Sequence, residues 1–282
     1  MIRTSAAALA AVVVVGGLAH AQHAAPPARE AATRDERSDG DRAWHAAPVA
    51  AGGVVYLLLE FAFKDEVTPD ECRWCSTNPI DRRIRSALVW DDVEAAEQWS
   101  TLTSYVGGPG LAIGVLLATT ADDPDLRRWF DDAIPVIQAG IVTGMVNQLV
   151  KVIAGRERPY SAFGNVSARP DGDENTSFFS GHSALSFAMT TASGTVASLR
   201  GYRSAPLLWI GGSALAVATG YLRIASDTHY ASDAIVGSLV GGSIGIAVPW
   251  LIHRHHLSGG TTVLPHVARS HDGAIVSLTG AF

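Results

Sequence analysis

The chain has 282 residues, 48% hydrophobic and only 17% charged, with a mean hydropathy of +0.18. Average soluble usage is about 25% charged, so the balance is tilted toward apolar burial, and disorder over the whole length is excluded. The formal net charge of −6 comes without a basic stripe, which excludes a general nucleic-acid binder, and two cysteines exclude a disulfide-rich scaffold.

In chain order, Arg3 and the apolar run Ala6–Ala19 precede Ala19-His20-Ala21, the small-x-small pattern of a signal peptidase site. Residues 1–21 are therefore expected to be an export signal cleaved after Ala21, and residues 22–47, rich in Ala, Pro, Arg, Asp and Glu, a flexible linker. Residues 48–105 form an N-terminal region that opens on an apolar stretch to Phe63. It contains Cys72-x-x-Cys75 and, from Arg83 to Val106, an expected amphipathic helix. Zinc needs about four ligands and no histidine lies nearby in sequence, so a local disulfide between Cys72 and Cys75 in an exported loop is the reading.

Five apolar segments follow, at about Val106–Thr120, Ala133–Ala154, Ser183–Leu199, Pro206–Tyr221 and Ala234–Ile252, all too long for ordinary strands. Asp131 and Asp132 are expected to cap the second, with Pro135 in its first turn and Gly155 at its end. The small residues of GGSALAVATG and GSLVGGSIG permit close helix–helix approach. The fold class is all-α: an up-and-down bundle of about five to six core helices over residues 106–253, membrane-embedded. A polar tail at 254–282 has alternation in TTVLPHV and GAIVSL that permits a short strand pair.

Polar residues gather at three places in this apolar half: Lys151–Pro159, Ser180-Gly181-His182, and Arg223–Asp233. Each sits at a helix end, and in an alternating bundle all three ends fall on one face. Lys151, Arg158 and Arg223 suit a tetrahedral oxyanion. Ser180-Gly181 precedes a helix whose first amides are unpaired, an anion site by dipole and donors. His229 and Asp233 are four apart, as on one helical face, so the carboxylate can hold the imidazole. With His182 as a second imidazole, one histidine can attack while the other protonates a leaving group. The residues alone do not say which attacks, though the carboxylate partner favours His229. No cluster has metal-ligand spacing. The acidic loop Asp171–Ser177 lacks the glycine and closing Glu of a calcium loop, and the His253–His256 run reads as a helix end.

These clusters resemble the three-part signature of the type 2 phosphatidic acid phosphatase and vanadium haloperoxidase superfamily: K-x6-R-P, P-S-G-H, and S-R-x5-H-x3-D. Lys151 is followed by six residues and Arg158-Pro159. Ser180-Gly181-His182 matches the second part, with Phe179 for proline, and Arg223, His229 and Asp233 match the third, with Leu222 for serine. The resemblance covers Asp131 to Ile252. It implies a helical, metal-independent phosphatase without a cofactor, vanadate serving as one only in a haloperoxidase, whose chains are generally much longer. By position His229 is the nucleophile that forms a phosphohistidine, Asp233 orients it and His182 is the general acid. Lys151, Arg158, Arg223, Ser180 and the Gly181 amide bind phosphate oxygens. Loss of the motif serine at Leu222 implies one fewer phosphate contact, and Phe179 a reshaped loop or an apolar wall.

If the five segments span and Val49–Phe63 does not, signal cleavage leaves the three clusters outside. Arg127, Arg128, Arg200, Arg203 and Arg254 then lie inside, in keeping with the positive-inside tendency. Were Val49–Phe63 to span, the clusters would face the cytoplasm. The expected function is hydrolysis of phosphate monoesters or diphosphates of lipid or polyprenyl substrates at the outer or periplasmic face of the cell membrane. A soluble secreted acid phosphatase is the alternative, and nucleic acid is not an expected partner.

Overall fold

The computed structural model describes residues 50–58, 67–123, 126–164 and 173–257 and the strands at 264–270 and 273–279. The expected signal peptide and linker lie outside the described residues. Residues 50–57 form helix α1, followed by α2 (Pro79–Leu88) and α3 (Val93–Leu102). A π-helical turn, Thr103–Gly107, joins α3 to α4 (Gly108–Thr119). Then come α5 (Arg127–Ala154), the single turn α6 (Pro159–Ala162), α7 (Gly181–Leu199), α8 (Ala205–Ala225) and α9 (Ala231–Leu257). The His253–His256 run lies in the last turns of α9. The tail pairs Leu264–Ser270 antiparallel with Gly273–Thr279, the strand pair its alternation permits. The body is all-helical, as expected.

Local chemistry corrects two expectations. The segment from Arg83 to Val106 is two helices rather than one. Asp92 caps α3 by accepting from the Ala95 amide, and the intervening Trp90 is tied by its amide to the Ala225 carbonyl and by its indole to the Tyr221 hydroxyl. Helix α5 begins at Arg127, before Asp131 and Asp132, with the Asp123 carboxylate accepting from the Arg128 amide. Asp132 is not a cap. It is buried inside the helix, where it accepts from Arg200 Nε (2.7 Å) and the Tyr202 hydroxyl (2.5 Å). Gly155 does end α5, at φ 51°, with its amide bonded to the Lys151 carbonyl.

Helix α7 is the axis of the bundle, packed on α4, α5, α8 and α9. Its small residues are buried nearly all round. Several of its hydroxyls turn back on the helix: Thr191 Oγ1 bonds Phe187 O, Ser193 donates to Met189 O and Ser198 to Gly194 O. Its neighbours carry their large apolar side chains outward. Ile210 is 73% and Leu239 66% exposed, and Leu149, Ile153, Val217 and Ile235 are exposed with them. Four helices, Val93–Thr119, Arg127–Ala154, Ala205–Ala225 and Ala231–Ile252, are long and apolar enough to cross a membrane. A hydroxyl-rich centre inside an apolar exterior is the organisation of a membrane protein.

The α7–α9 contact is made by backbone. A Cβ at Gly237 would sit 2.5 Å from the Ser180 carbonyl oxygen, and Cβ atoms at Gly241 and Gly245 would overlap the backbone of Ala184 and Ala188. Thr191 Oγ1 also lies 3.0 Å from the Gly242 carbonyl across the seam, so its one proton is shared between that oxygen and Phe187 O. Gly241→Val is expected to cost more than the about 1–3 kcal/mol of ordinary overpacking and to abolish a monodisperse, cooperatively melting protein in detergent. Gly242→Val should be tolerated in the same assay, because a Cβ there meets only Thr191 Cγ2 at 3.8 Å.

Candidate active site

The ends of α5 and α8 and the starts of α7 and α9 meet on one side of the bundle. Lys151, Arg158, Gly181, His182, Arg223 and His229 line one cavity of ≈ 550 Å³ there. Ser180 and Asp233 are fully buried behind its wall. Ser180 caps α7, its hydroxyl accepting from the Ser183 amide and hydroxyl, and its own amide donates to the Asp233 carbonyl. The structure thus brings all eight expected residues together but puts six at the surface of the cavity.

The guanidinium groups are buried and braced. Arg158 donates to the Asp173 carbonyl (2.8 Å), the Asp173 carboxylate (3.1 Å) and the Thr176 hydroxyl. Burial works against its charge, but Asp173, Tyr160, Glu97 and Asp233 together outweigh it and hold its pKa above the ordinary value. Arg223 donates to the Ser100 hydroxyl (3.0 Å) and lies 3.8 Å from Glu97. Both reach the cavity from the end of an element, Arg158 as the N-cap of α6 and Arg223 in the last turn of α8.

His229 lies in the turn before α9 rather than on the helix. Its Nδ1 is 2.7 Å from the Ser177 carbonyl oxygen and 3.8 Å from Asp233 Oδ2. A carbonyl can only accept, so Nδ1 carries the proton and Nε2 keeps its lone pair. Burial, then the cations Arg158, Arg223 and Lys151, push its pKa well below that of a free imidazole, so the ring is neutral at neutral pH. The direct tether is therefore a backbone carbonyl. Asp233 is held one step behind, by Arg156, by the Ser177 hydroxyl (2.6 Å) and by the Tyr230 amide (2.9 Å). His182 occupies the first turn of α7, with Tyr105 of the π-helical turn edge-on at 4.9 Å between centroids.

The two motif departures are apolar contacts. The Phe179 side chain is buried and reaches toward α9 at Gly237 instead of walling the cavity, while its carbonyl accepts from Asn147 Nδ2 (2.7 Å). Leu222 packs with Ala96 and Ala225, filling the α3–α8 seam.

Several residues beyond the expected set build the site. Asn147, one turn before Lys151, holds the Phe179–Gly181 turn, and a polar residue at i−4 from a site lysine in an apolar helix was a legible signal. Arg156 pairs with Asp81 and Asp233. The Arg73 amide bonds the Gly155 carbonyl, Asn175 donates to the Pro69 carbonyl, and Arg85 bonds Asp227 through both oxygens at 2.6 Å. Residues 69–90 thus form a collar that touches the loops of all three clusters, and no motif in the sequence marks it. The Cys72–Cys75 disulfide, as expected, closes the collar's loop, next to Trp74, which bridges to Arg156.

Among known proteins, the PAP2 superfamily model matches residues 133–257. No curated protein matches the chain. A solved transmembrane PAP2-type phosphatidylglycerolphosphate phosphatase of Bacillus subtilis is 17% identical, with a TM-score of 0.45 over 75% of this chain and 96% of its own. The LpxE structure of Aquifex aeolicus is 22% identical, with a TM-score of 0.39 over 59% of this chain and 90% of its own. The segment that matches the PAP2 superfamily model contains all three clusters and every cavity-lining cation and imidazole described above.

Proposed function

We propose that the protein is a membrane phosphatase that hydrolyses phosphate monoesters or diphosphates of lipid or polyprenyl alcohols through a phosphohistidine. The observation that carries this reading is the lining of this cavity. Three cations and two imidazoles line it together with Glu97, Asp173 and Asn147, and Tyr56, Ile137, Ile141, Leu185 and Met189 give it an apolar stretch. From Lys151 to Ile137 along α5 the lining extends about 21 Å at 1.5 Å per residue, room for a phosphate at the mouth and a hydrocarbon chain below. A soluble phosphate would leave that apolar length unused.

In this reading Lys151, Arg158, Arg223 and the Gly181 amide grip the phosphoryl oxygens. Burial, then the cations Arg223, Lys151 and Arg158, hold the His182 pKa well below its ordinary value. The charge of a bound phosphate offsets those cations, so His182 takes up a proton with the substrate. His229 Nε2 attacks phosphorus while the P–O bond to the alcohol breaks, and His182 gives that proton to the departing oxygen. Water then attacks the phosphohistidine, His182 takes the water's proton, and inorganic phosphate leaves with His229 restored. Asp233 offsets the positive charge that His229 acquires. Ser180 contributes by capping α7 and so aiming the Gly181 amide. The cations already supply the positive charge a metal would bring, so no metal or other cofactor is proposed. The site is proposed to face the outside or periplasm. The disulfide lies at the site end of the bundle, in keeping with an oxidising compartment, and the signal-like N-terminus points the same way.

Purified protein in detergent should release phosphate from lipid phosphates or diphosphates in excess chelator and be inhibited by vanadate, and His229→Ala should lose at least ~10³-fold in kcat. Full activity in His229→Ala would overturn the mechanism. Leu185→Trp, which fills the apolar cleft, should reduce kcat/KM for long-chain substrates by ~10-fold or more while sparing a short soluble phosphate ester. Equal losses on both would refute the chain-binding role of the cleft. The depressed His229 pKa gives a further expectation. The folded state excludes a proton that the unfolded state accepts below about pH 6.5, so stability is full above that pH and falls as pH drops toward the folded value. The melting temperature should fall between about pH 7 and pH 5, less so in His229→Gln and less so with inorganic phosphate bound among the cations.

A further inference from the structure

We propose that Asp81, which lies outside the matched family segment, is a positioning residue that acts through Arg156 on Asp233 and His229. This rests on the phosphatase reading. Arg156 is 1% exposed, and its guanidinium joins two buried carboxylates: Nη2 to Asp81 Oδ2 at 2.8 Å and Nη1 to Asp233 Oδ1. The plane is sandwiched between the rings of Trp74 (4.1 Å) and Tyr230 (4.3 Å). Ser232 closes the circuit, accepting from Arg156 Nη1 (2.8 Å) and donating its hydroxyl (2.6 Å) and amide (3.0 Å) to Asp81.

The charge count makes this more than a structural staple. Burial alone would raise the Asp81 pKa, but the Ser232 and Arg156 hydrogen bonds overcome it and hold the carboxyl below its ordinary value, ionised. Two carboxylates around one guanidinium leave a net negative charge buried directly behind His229, whose Nδ1 is 3.8 Å from Asp233. On the opposite side His229 faces Lys151, Arg158, Arg223 and His182. When Nε2 takes the phosphoryl group while Nδ1 keeps its proton, the ring becomes cationic, and those groups oppose it. The surplus charge favours it. With Asp233 alone, Arg156 would cancel the carboxylate and leave nothing for the ring, so the second carboxylate restores the function of the first. Its effect appears only as the ring becomes charged, so it belongs to the chemical step and not to substrate binding.

The test is steady-state hydrolysis by detergent-purified full-length protein, with the substrate the wild type turns over best. Asp81→Asn keeps the shape of the side chain and one of its two accepting oxygens, and removes its charge. It is expected to lower kcat by ~10-fold or more with KM within ~2-fold. A merely structural role would show as lost folded protein or a raised KM. Wild-type kcat in folded Asp81→Asn, or a KM effect alone, overturns the inference and leaves the phosphatase reading standing. Absence of turnover by the wild type on any phosphate ester or diphosphate overturns both. Should Asp81→Asn fail to fold, Ser232→Ala removes only the hydroxyl that Asp81 and Arg156 share, leaves their direct contact, and takes away a hydrogen bond that holds the Asp81 carboxyl ionised. It should lower kcat by ~3-fold at unchanged KM, and wild-type kcat there is equally fatal to the inference.

Discussion

The backbone contact between α7 and α9 is the constraint on which the site depends. Glycines at 237, 241 and 245 recur every fourth residue, so they form one ridge, and the ridge meets the carbonyls of Ser180, Ala184 and Ala188. In a bundle whose exterior is as apolar as lipid, burial of hydrocarbon gives little reason for helices to associate. Close packing and hydroxyl bonds across the seam supply that reason. Because the seam runs to the helix starts, the distance that lets the helices pack also sets the Ser180 amide on the Asp233 carbonyl and the start of α7 beside His229.

The loops at that end have a different problem. Arg156, Arg158, Arg223, Asp81 and Asp233 are all buried, and buried charge is tolerated only when paired and hydrogen-bonded. Each guanidinium therefore has a carboxylate close by: Asp81 and Asp233 for Arg156, Asp173 for Arg158, Glu97 for Arg223. The cations facing the cavity are thereby fixed in position before any anion arrives, which is the preorganisation that electrostatic catalysis requires. The tether of His229 follows the same logic. A carbonyl from the Ser177 turn sets its tautomer, and the Asp233 carboxylate lies farther off, at 3.8 Å.

Much of this was legible in the sequence because helix punctuation and motif spacing are local. Gly155 ends α5 where a glycine with positive φ was expected, and the three polar clusters fall at helix ends because polar residues have nowhere else to go in an apolar bundle. The glycine-rich segments announced close packing. What was not legible is what depends on distant partners. Asp132 looked like a cap and is a buried partner of Arg200 and Tyr202. Arg156 stood two residues from a motif arginine, with nothing in its spacing to separate a site-facing guanidinium from one facing the collar. Asp81 carries no local pattern at all, since its meaning is given by Ser232 and Arg156, far along the chain. Ser177 contributes a carbonyl, which every residue has.

The collar changes what is inherited as a unit. The family-like segment begins at residue 133, yet Arg156, Arg223, Asp227 and Asn175 find their partners at Asp81, Ser100, Arg85 and Pro69. A relative that shares only the three motifs must meet the same buried charges with other residues. The preceding region is thus free to diverge in sequence only where it preserves this pairing, and likeness in the motifs alone understates how much of the molecule the site occupies.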